Sequence, residues 1–181
     1  SAKYKQPNSF SCLLSVYNTG LGCEYIVAET LNKFGTNLPS HCDMNKVIGV
    51  DMTTGSLGQG LSAANGMAIA GKLDNKNYRV YTILGDGEIE EGQIWEAAFF
   101  ASHKKIDNLI VFLDYNRMQL DGYLADINDV GGMADKFASF GFDTYSIDNS
   151  FEIFSKSYSF VLKLSNVSQC ISIIILTPPK S

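Results

Sequence analysis

Two strand-like runs, one β-branched and aromatic and one apolar, each closed by a loop of small and polar residues, limit what this chain can fold into more than any other feature. Tyr78-Arg-Val-Tyr-Thr-Ile-Leu84 is rich in β-branched and aromatic residues and stops at Gly85-Asp86-Gly87. Asn108-Leu-Ile-Val-Phe-Leu113 stops in the same way at Asp114-Tyr115-Asn116-Arg117-Met118. The runs predict strands over 78–84 and 108–113. Strands apolar along their whole length are buried on both faces, as in parallel sheets covered by helices. Between them Glu88, Glu90 and Glu91 come first and His103-Lys104-Lys105 last, the charge order a helix dipole favours, so a helix is predicted over 91–104.

The same alternation continues downstream, with a helix predicted over 135–140, a strand over 142–147, a helix over 151–164 and a strand over 170–176. Upstream, residues 55–72 read as a helix rich in small residues, with Thr54 or Ser56 as N-cap and with Gly58, Gly60 and Gly66 as close-packing positions. Residues 26–34 fit a helix, and residues 7–22 show no clear period. Alternating β and α elements predict an α/β fold, an open, doubly wound and mostly parallel sheet with helices on both faces. At 181 residues and 45% apolar content, the chain suits a single domain over 1–181.

Charge narrows the partners. The net charge is −5, and residues 41–148 hold 16 acids against 8 bases. That leaves no basic footprint for nucleic acid or for an anionic membrane. Cys12, Cys23, Cys42 and Cys170 form no CxxC pair, and with only His41 and His103 beside them they do not make a zinc site. They read as the reduced thiols of a cytoplasmic protein. No run approaches a membrane span, and Ser1 to Pro7 is not followed by a signal-peptide core.

In α/β sheets ligands bind beyond the carboxyl ends of the strands, which selects the loops after residues 84 and 113. Asp86 and Asn116 are separated by 30 positions, the length of one βαβ unit, so a right-handed crossover sets them side by side. A carboxylate, a carboxamide and a nearby backbone carbonyl are hard oxygen donors suited to Mg²⁺, with Ca²⁺ as a substitute. A bare phosphate would face Asp86, Glu88, Glu90 and Glu91 without a nearby lysine, and a divalent cation resolves that repulsion.

Gly85-Asp86-Gly87 followed by Asn116 resembles the thiamine diphosphate motif. With Asp51-Met-Thr-Thr-Gly-Ser-Leu-Gly-Gln-Gly-Leu-Ser62, Gly85 to Ala98 and Asp114 to Gly122, the chain is similar to transketolase, especially the amino-terminal subunit of split transketolases. The likeness covers residues 34–148, while 1–33 and 149–181 diverge. It implies that Asp86, the Asn116 side chain and the Met118 carbonyl hold Mg²⁺. It further implies that Gly85, Gly87 and Asn116 approach the diphosphate, and that Gly55, Ser56 and Leu57 form the turn against the cofactor rings. Glu91 takes the place of the family's dimer-interface glutamate, and His41 that of a sugar-contacting histidine. The family's Ser-Gly-His-Pro and Lys-Gly-His segments have no match in residues 1–40.

The family's catalytic glutamate belongs to a pyrimidine-binding domain, so the resemblance implies no catalytic residue in this chain. It implies instead a partner subunit, in a dimer or heterotetramer, and transfer of a two-carbon ketol unit between sugar phosphates in the pentose phosphate pathway. A truncated or degenerate relative without turnover is the alternative. A nicotinamide-binding domain fits poorly, because Gly85-x-Gly87 lacks the third glycine and carries an acid where a pyrophosphate would lie.

Overall fold

The computed structural model describes residues 11–13, 43–46, 50–119, 121–129, 131–148 and 172–177. The helices expected over 26–34 and 151–164, and the residues His41, Cys23, Cys42 and Cys170, lie outside them. In chain order the elements are β1 (Ser11–Leu13), α1 (Gln59–Leu73), β2 (Val80–Gly85), a 3₁₀ turn (Glu88–Glu90), α2 (Gly92–His103) and β3 (Leu109–Asp114). There follow β4 (Met118–Gln119), β5 (Gly122–Tyr123), α3 (Leu124–Ile127), α4 (Met133–Ser139), β6 (Asp143–Asp148) and β7 (Ser172–Thr177).

The main sheet is parallel throughout, in the order β1-β2-β3-β7-β6. In β3, Leu109, Ile110, Val111 and Leu113 are all buried. Consecutive side chains point to opposite faces, so both faces of this strand are covered, as its unbroken apolar run requires. The α/β architecture expected from the sequence is therefore the one observed.

Small residues let two helices approach closely. Ala64 and Ala68 of α1 and Ala97, Ala98 and Ala101 of α2 join one buried core with Val80, Leu84, Leu109, Val111 and Leu113. Across that contact the Asn65 amide donates to the Ala97 carbonyl at 2.9 Å. Trp95 stacks on Phe137 of α4 at 5.2 Å between ring centroids, and Phe137 meets Phe142 edge-on at 5.5 Å. Phe99 and Phe100, on the outer face of α2, stay exposed.

Several boundaries move, each for a visible reason. The helix expected from residue 55 starts at Gln59, because Gly58 holds φ 82° and ends a turn closed by the Gln59 N–H to the Ser56 carbonyl at 3.3 Å. Neither Thr54 nor Ser56 is the N-cap; Gly58 is. Gly66 is exposed, and among the described residues nothing lies within 4 Å of a Cβ built there. Gly60 is buried, a Cβ on Gly58 would fall 3.1 Å from that of Glu91, and Gly71 is a further close-packing glycine: its added Cβ would fall 2.6 Å from the Tyr78 ring.

Glu88 and Glu90 sit in the 3₁₀ turn, and Glu91 is the N-cap of α2. The helix expected over 135–140 begins earlier, at Met133 after the left-handed Gly132, and the strand expected from 142 begins at Asp143. Phe142 is withheld from the strand because its N–H closes the end of α4 on the Phe137 carbonyl at 3.2 Å. The residue before it, Gly141, is left-handed at φ 89° and its N–H reaches the Ala138 carbonyl at 2.8 Å, which completes a Schellman stop.

Candidate functional site

The register of the sheet brings the two candidate loops together. Gly85 pairs with Asp114 at the carboxyl ends of β2 and β3, so Asp86 and Asn116 leave adjacent strands at the same edge. Asp86 is wholly buried. One of its oxygens accepts from its neighbour Gly87 N–H at 2.9 Å, and the other accepts from the Arg117 N–H. Arg117 reaches it through a left-handed backbone at φ 66°, a conformation that costs an L-residue roughly 1 kcal/mol.

Asn116 is oriented at both ends of its amide. Its Nδ2 donates to Asp114 Oδ2 at 3.1 Å, and its Oδ1 accepts from the Met118 N–H at 2.8 Å. Met118 then opens the two-residue hairpin of β4 and β5, and Gln119 packs its Cβ where a Cβ on Gly87 would stand, at 2.9 Å. Only glycine fits at position 87 without moving that hairpin.

The electrostatics of Asp86 follow from its burial. Desolvation, with the Asp114 charge adding to it, pushes its carboxyl up from 3.8 to about 6 against the pull of backbone N–H groups. The donors on Asp86 are peptide N–H groups, so the carboxylate sits in a dry place without a formal positive charge on its hydrogen-bond partners. A carboxylate offers about four lone-pair sites, more than the N–H bonds from Gly87 and Arg117 occupy.

Among the described residues no three His, Cys, Asp or Glu side chains are arranged to hold a metal. A cation at Asp86 would draw on the mixed oxygen set that the resemblance implies, one carboxylate, one carboxamide and one peptide carbonyl. That set suits Mg²⁺, which keeps a few protein ligands and fills its octahedron with phosphate oxygens and water. The chemistry of the donors and the buried, raised carboxyl both fit such an ion.

The 55–58 turn lies beside these two loops. Gly55 and Ser56 are exposed and Leu57 is half-buried, and the turn they enter is fixed by Glu88, a residue that sequence alone explains as helix charge. Glu88 is buried, and its carboxylate accepts from the Gly58 N–H at 3.0 Å and from the Gly85 N–H at 3.3 Å. An acid soon after a glycine turn looks like ordinary helix-start chemistry, and nothing local reveals a partner 30 residues upstream.

Glu91 is exposed, and its Cβ lies 3.1 Å from where a Cβ on Gly58 would stand, so it borders the same turn. His103 is the last residue of α2 and is exposed, as expected for a charge at a helix carboxyl end. The structure thus gathers Asp86, Asn116, Met118, Gly87 and the 55–58 turn around one sheet edge.

The family described as transketolase, thiamine diphosphate binding domain, matches residues 9–157. The 6-deoxy-6-sulfo-D-fructose transketolase subunit SqwG of Clostridium sp. (strain MSTE9) is 57% identical over 129 residues, which cover 70% of this chain and 47% of that protein. One of the subunits of the apulose-4-phosphate transketolase of Phocaeicola vulgatus is 39% identical over 122 residues, covering 67% of this chain and 43% of that one. The chain therefore spans less than half the length of either relative. Among solved structures, transketolase from Leishmania mexicana aligns over 94% of this chain and 28% of its own with a TM-score of 0.73 at 22% identity, a likeness of fold.

Proposed function

Because the chain belongs to the transketolase thiamine diphosphate-binding family, we propose that it is the diphosphate-binding half of a ketol transferase. In this reading it moves a two-carbon ketol unit between sugar phosphates when paired with a pyrimidine-binding subunit. The observation that carries it is the buried Asp86 carboxylate, held by peptide N–H groups at the joint edge of β2 and β3 with Asn116 oriented beside it.

The division of labour follows from the donors. Asp86, Asn116 Oδ1 and the Met118 carbonyl hold Mg²⁺, for which Ca²⁺ is a substitute. Gly85 and Gly87 let the backbone approach the diphosphate, since glycine places no Cβ between peptide and ligand. Gly55, Ser56 and Leu57 border the rings, His41 contacts the sugar, and Glu91 meets the partner subunit. Thiamine diphosphate, when bound, supplies the nucleophilic carbon for ketol transfer, and this chain's residues bind it, orient it and neutralise its charge through the metal.

The partner is supported by relatives named as subunits of split transketolases. The same names refer to a sulfonated ketose and to a sugar phosphate, which favours anionic sugars as substrates. We assign the protein to the cytoplasm from its cysteine pattern.

The test is calorimetric titration of thiamine diphosphate into the chain with Mg²⁺, alone and with a pyrimidine-binding subunit, against Asp86→Ala. The wild type should bind only with the metal, and the variant should lose at least about a hundredfold in affinity, or roughly 2.7 kcal/mol. Wild-type binding that ignores both Mg²⁺ and Asp86→Ala would overturn the assignment. Ketol transfer on mixing with the partner separates this reading from a degenerate relative that binds without turnover.

A further inference from the structure

The two loops assigned above to the cofactor come from distant parts of the chain, and one side chain is hydrogen-bonded to both. Glu88 leaves the 3₁₀ turn just after Gly85-Asp86-Gly87 and is buried. Oε1 accepts from the Gly58 N–H at 3.0 Å, and Oε2 from the Gly85 N–H at 3.3 Å. Gly58 closes the turn that follows Gly55-Ser56-Leu57, and Gly85 opens the loop of Asp86 and Gly87. One carboxylate therefore ties the ring end of the site to its diphosphate end.

We propose that Glu88 is a positioning residue that fixes the distance between the 55–58 turn and the Gly85-Asp86-Gly87 loop, so that both ends of thiamine diphosphate are met at once. This rests on the cofactor reading above. The chemistry explains why an acid stands here. A carboxylate presents two acceptor oxygens and no donor, matching two converging peptide N–H groups. A glutamine would keep one acceptor and turn an NH₂ toward the other N–H. A shorter acid would have to draw both loops inward by the length of a methylene.

The role separates from mere folding support because a smaller ligand uses only one of the two loops. Inorganic pyrophosphate with Mg²⁺ occupies the diphosphate end and makes no demand on the 55–58 turn. The experiment titrates the full 181-residue chain, as wild type, Glu88→Gln and Glu88→Ala, with Mg²⁺-thiamine diphosphate and separately with Mg²⁺-pyrophosphate. Loss of the tie should weaken thiamine diphosphate about tenfold, the worth of one hydrogen bond to a charged group. Pyrophosphate affinity should stay within about twofold.

Parallel loss for both ligands, or no loss for either, overturns the proposal. A wild type that binds neither removes the cofactor reading and this role with it, which is a different result from a wild type that binds both while the variants bind both equally well. Should Glu88→Ala fail to fold, Glu88→Gln retains the volume and carries the test. Hydrogen exchange gives a ligand-free check: the Gly58 and Gly85 amides should exchange faster in Glu88→Gln while those of β3 keep their protection, and unchanged exchange at Gly58 overturns the tie.

Discussion

The two ends of the parallel sheet solve opposite problems. At the amino end, where β2 and β3 begin, polar groups are spent on holding helices to strands. Tyr78 donates from its hydroxyl to the Met67 carbonyl at 2.9 Å, Asn108 donates to the Ala68 carbonyl at 2.9 Å, and Lys72 bridges to Asp107 at 2.6 Å. Helices α1, α2 and α4 all end there in the same left-handed stop, at Asn75, Lys105 and Gly141. At the carboxyl end, Asp86, Glu88 and Asp114 are buried together, and Arg117 holds an uncommon backbone angle to reach Asp86. One end is arranged for stability, whereas the other tolerates buried negative charge that a bound cation would relieve.

The sharpest way to break that comparison is pH. In the metal-free chain the Asp86 carboxyl is raised from 3.8 to about 6, chiefly by desolvation. The folded state therefore binds this proton more tightly than the unfolded state. The stability tied to it is present below pH 4 and is lost as pH rises to about 6, by at most roughly 3 kcal/mol. Denaturant unfolding in chelator at pH 4 and at pH 6.5 should show a fall in wild type that Asp86→Ala lacks, and saturating Mg²⁺ should remove the fall. Equal pH profiles for the two proteins would place the electrostatic cost elsewhere.

The amino end should respond in the reverse manner. Gly71→Ala would set a Cβ 2.6 Å from the Tyr78 ring, whose hydroxyl is tied to Met67. Alanine ordinarily favours a helix over glycine by about 1 kcal/mol, so a net loss understates the clash by about that amount. A destabilisation of about 2 kcal/mol is expected, seen as a lower denaturant midpoint, with cofactor affinity unchanged. Gly58→Ala, at the other end, should cost only about 1 kcal/mol of stability for its φ of 82°. Its Cβ would press on Glu91, however, so it should also weaken thiamine diphosphate several-fold in the same titration.

What can be read from the sequence follows this division. The strands at 80–85 and 109–114 declare themselves because burial on both faces demands unbroken apolar runs, and their register carries Asp86 to Asn116 without further information. Glu88 does not declare itself: its position beside other acids has a sufficient local explanation, and the N–H it accepts from Gly58 is remote in sequence. Residues 55–58 read as helical because their small side chains suit a packed helix, while the left-handed angle of Gly58 is a property of the turn they form. The β4 and β5 hairpin is silent in the sequence because two residues a side carry no period. Strand β1 is silent too, because the three residues described of it are too few to show one.

The smallest effect isolates backbone strain at the amino end from anything the site does. Lys105 sits at φ 49° in the stop of α2, where its N–H bonds to the Ser102 carbonyl at 3.0 Å and the next N–H, of Ile106, to the Ala101 carbonyl at 3.1 Å. The same position after α4 is a glycine, Gly141. Glycine carries no Cβ penalty in this conformation, worth roughly 1 kcal/mol, but it loses more backbone freedom on folding, which returns up to half of that gain. Lys105→Gly should therefore raise stability by about 0.5 kcal/mol, because the carbonyl that accepts from Lys72 is kept. Thermal unfolding read beside the thiamine diphosphate titration checks it: a higher midpoint with unchanged affinity keeps the two ends independent, and a shift in affinity would show that strain at one end is felt at the other.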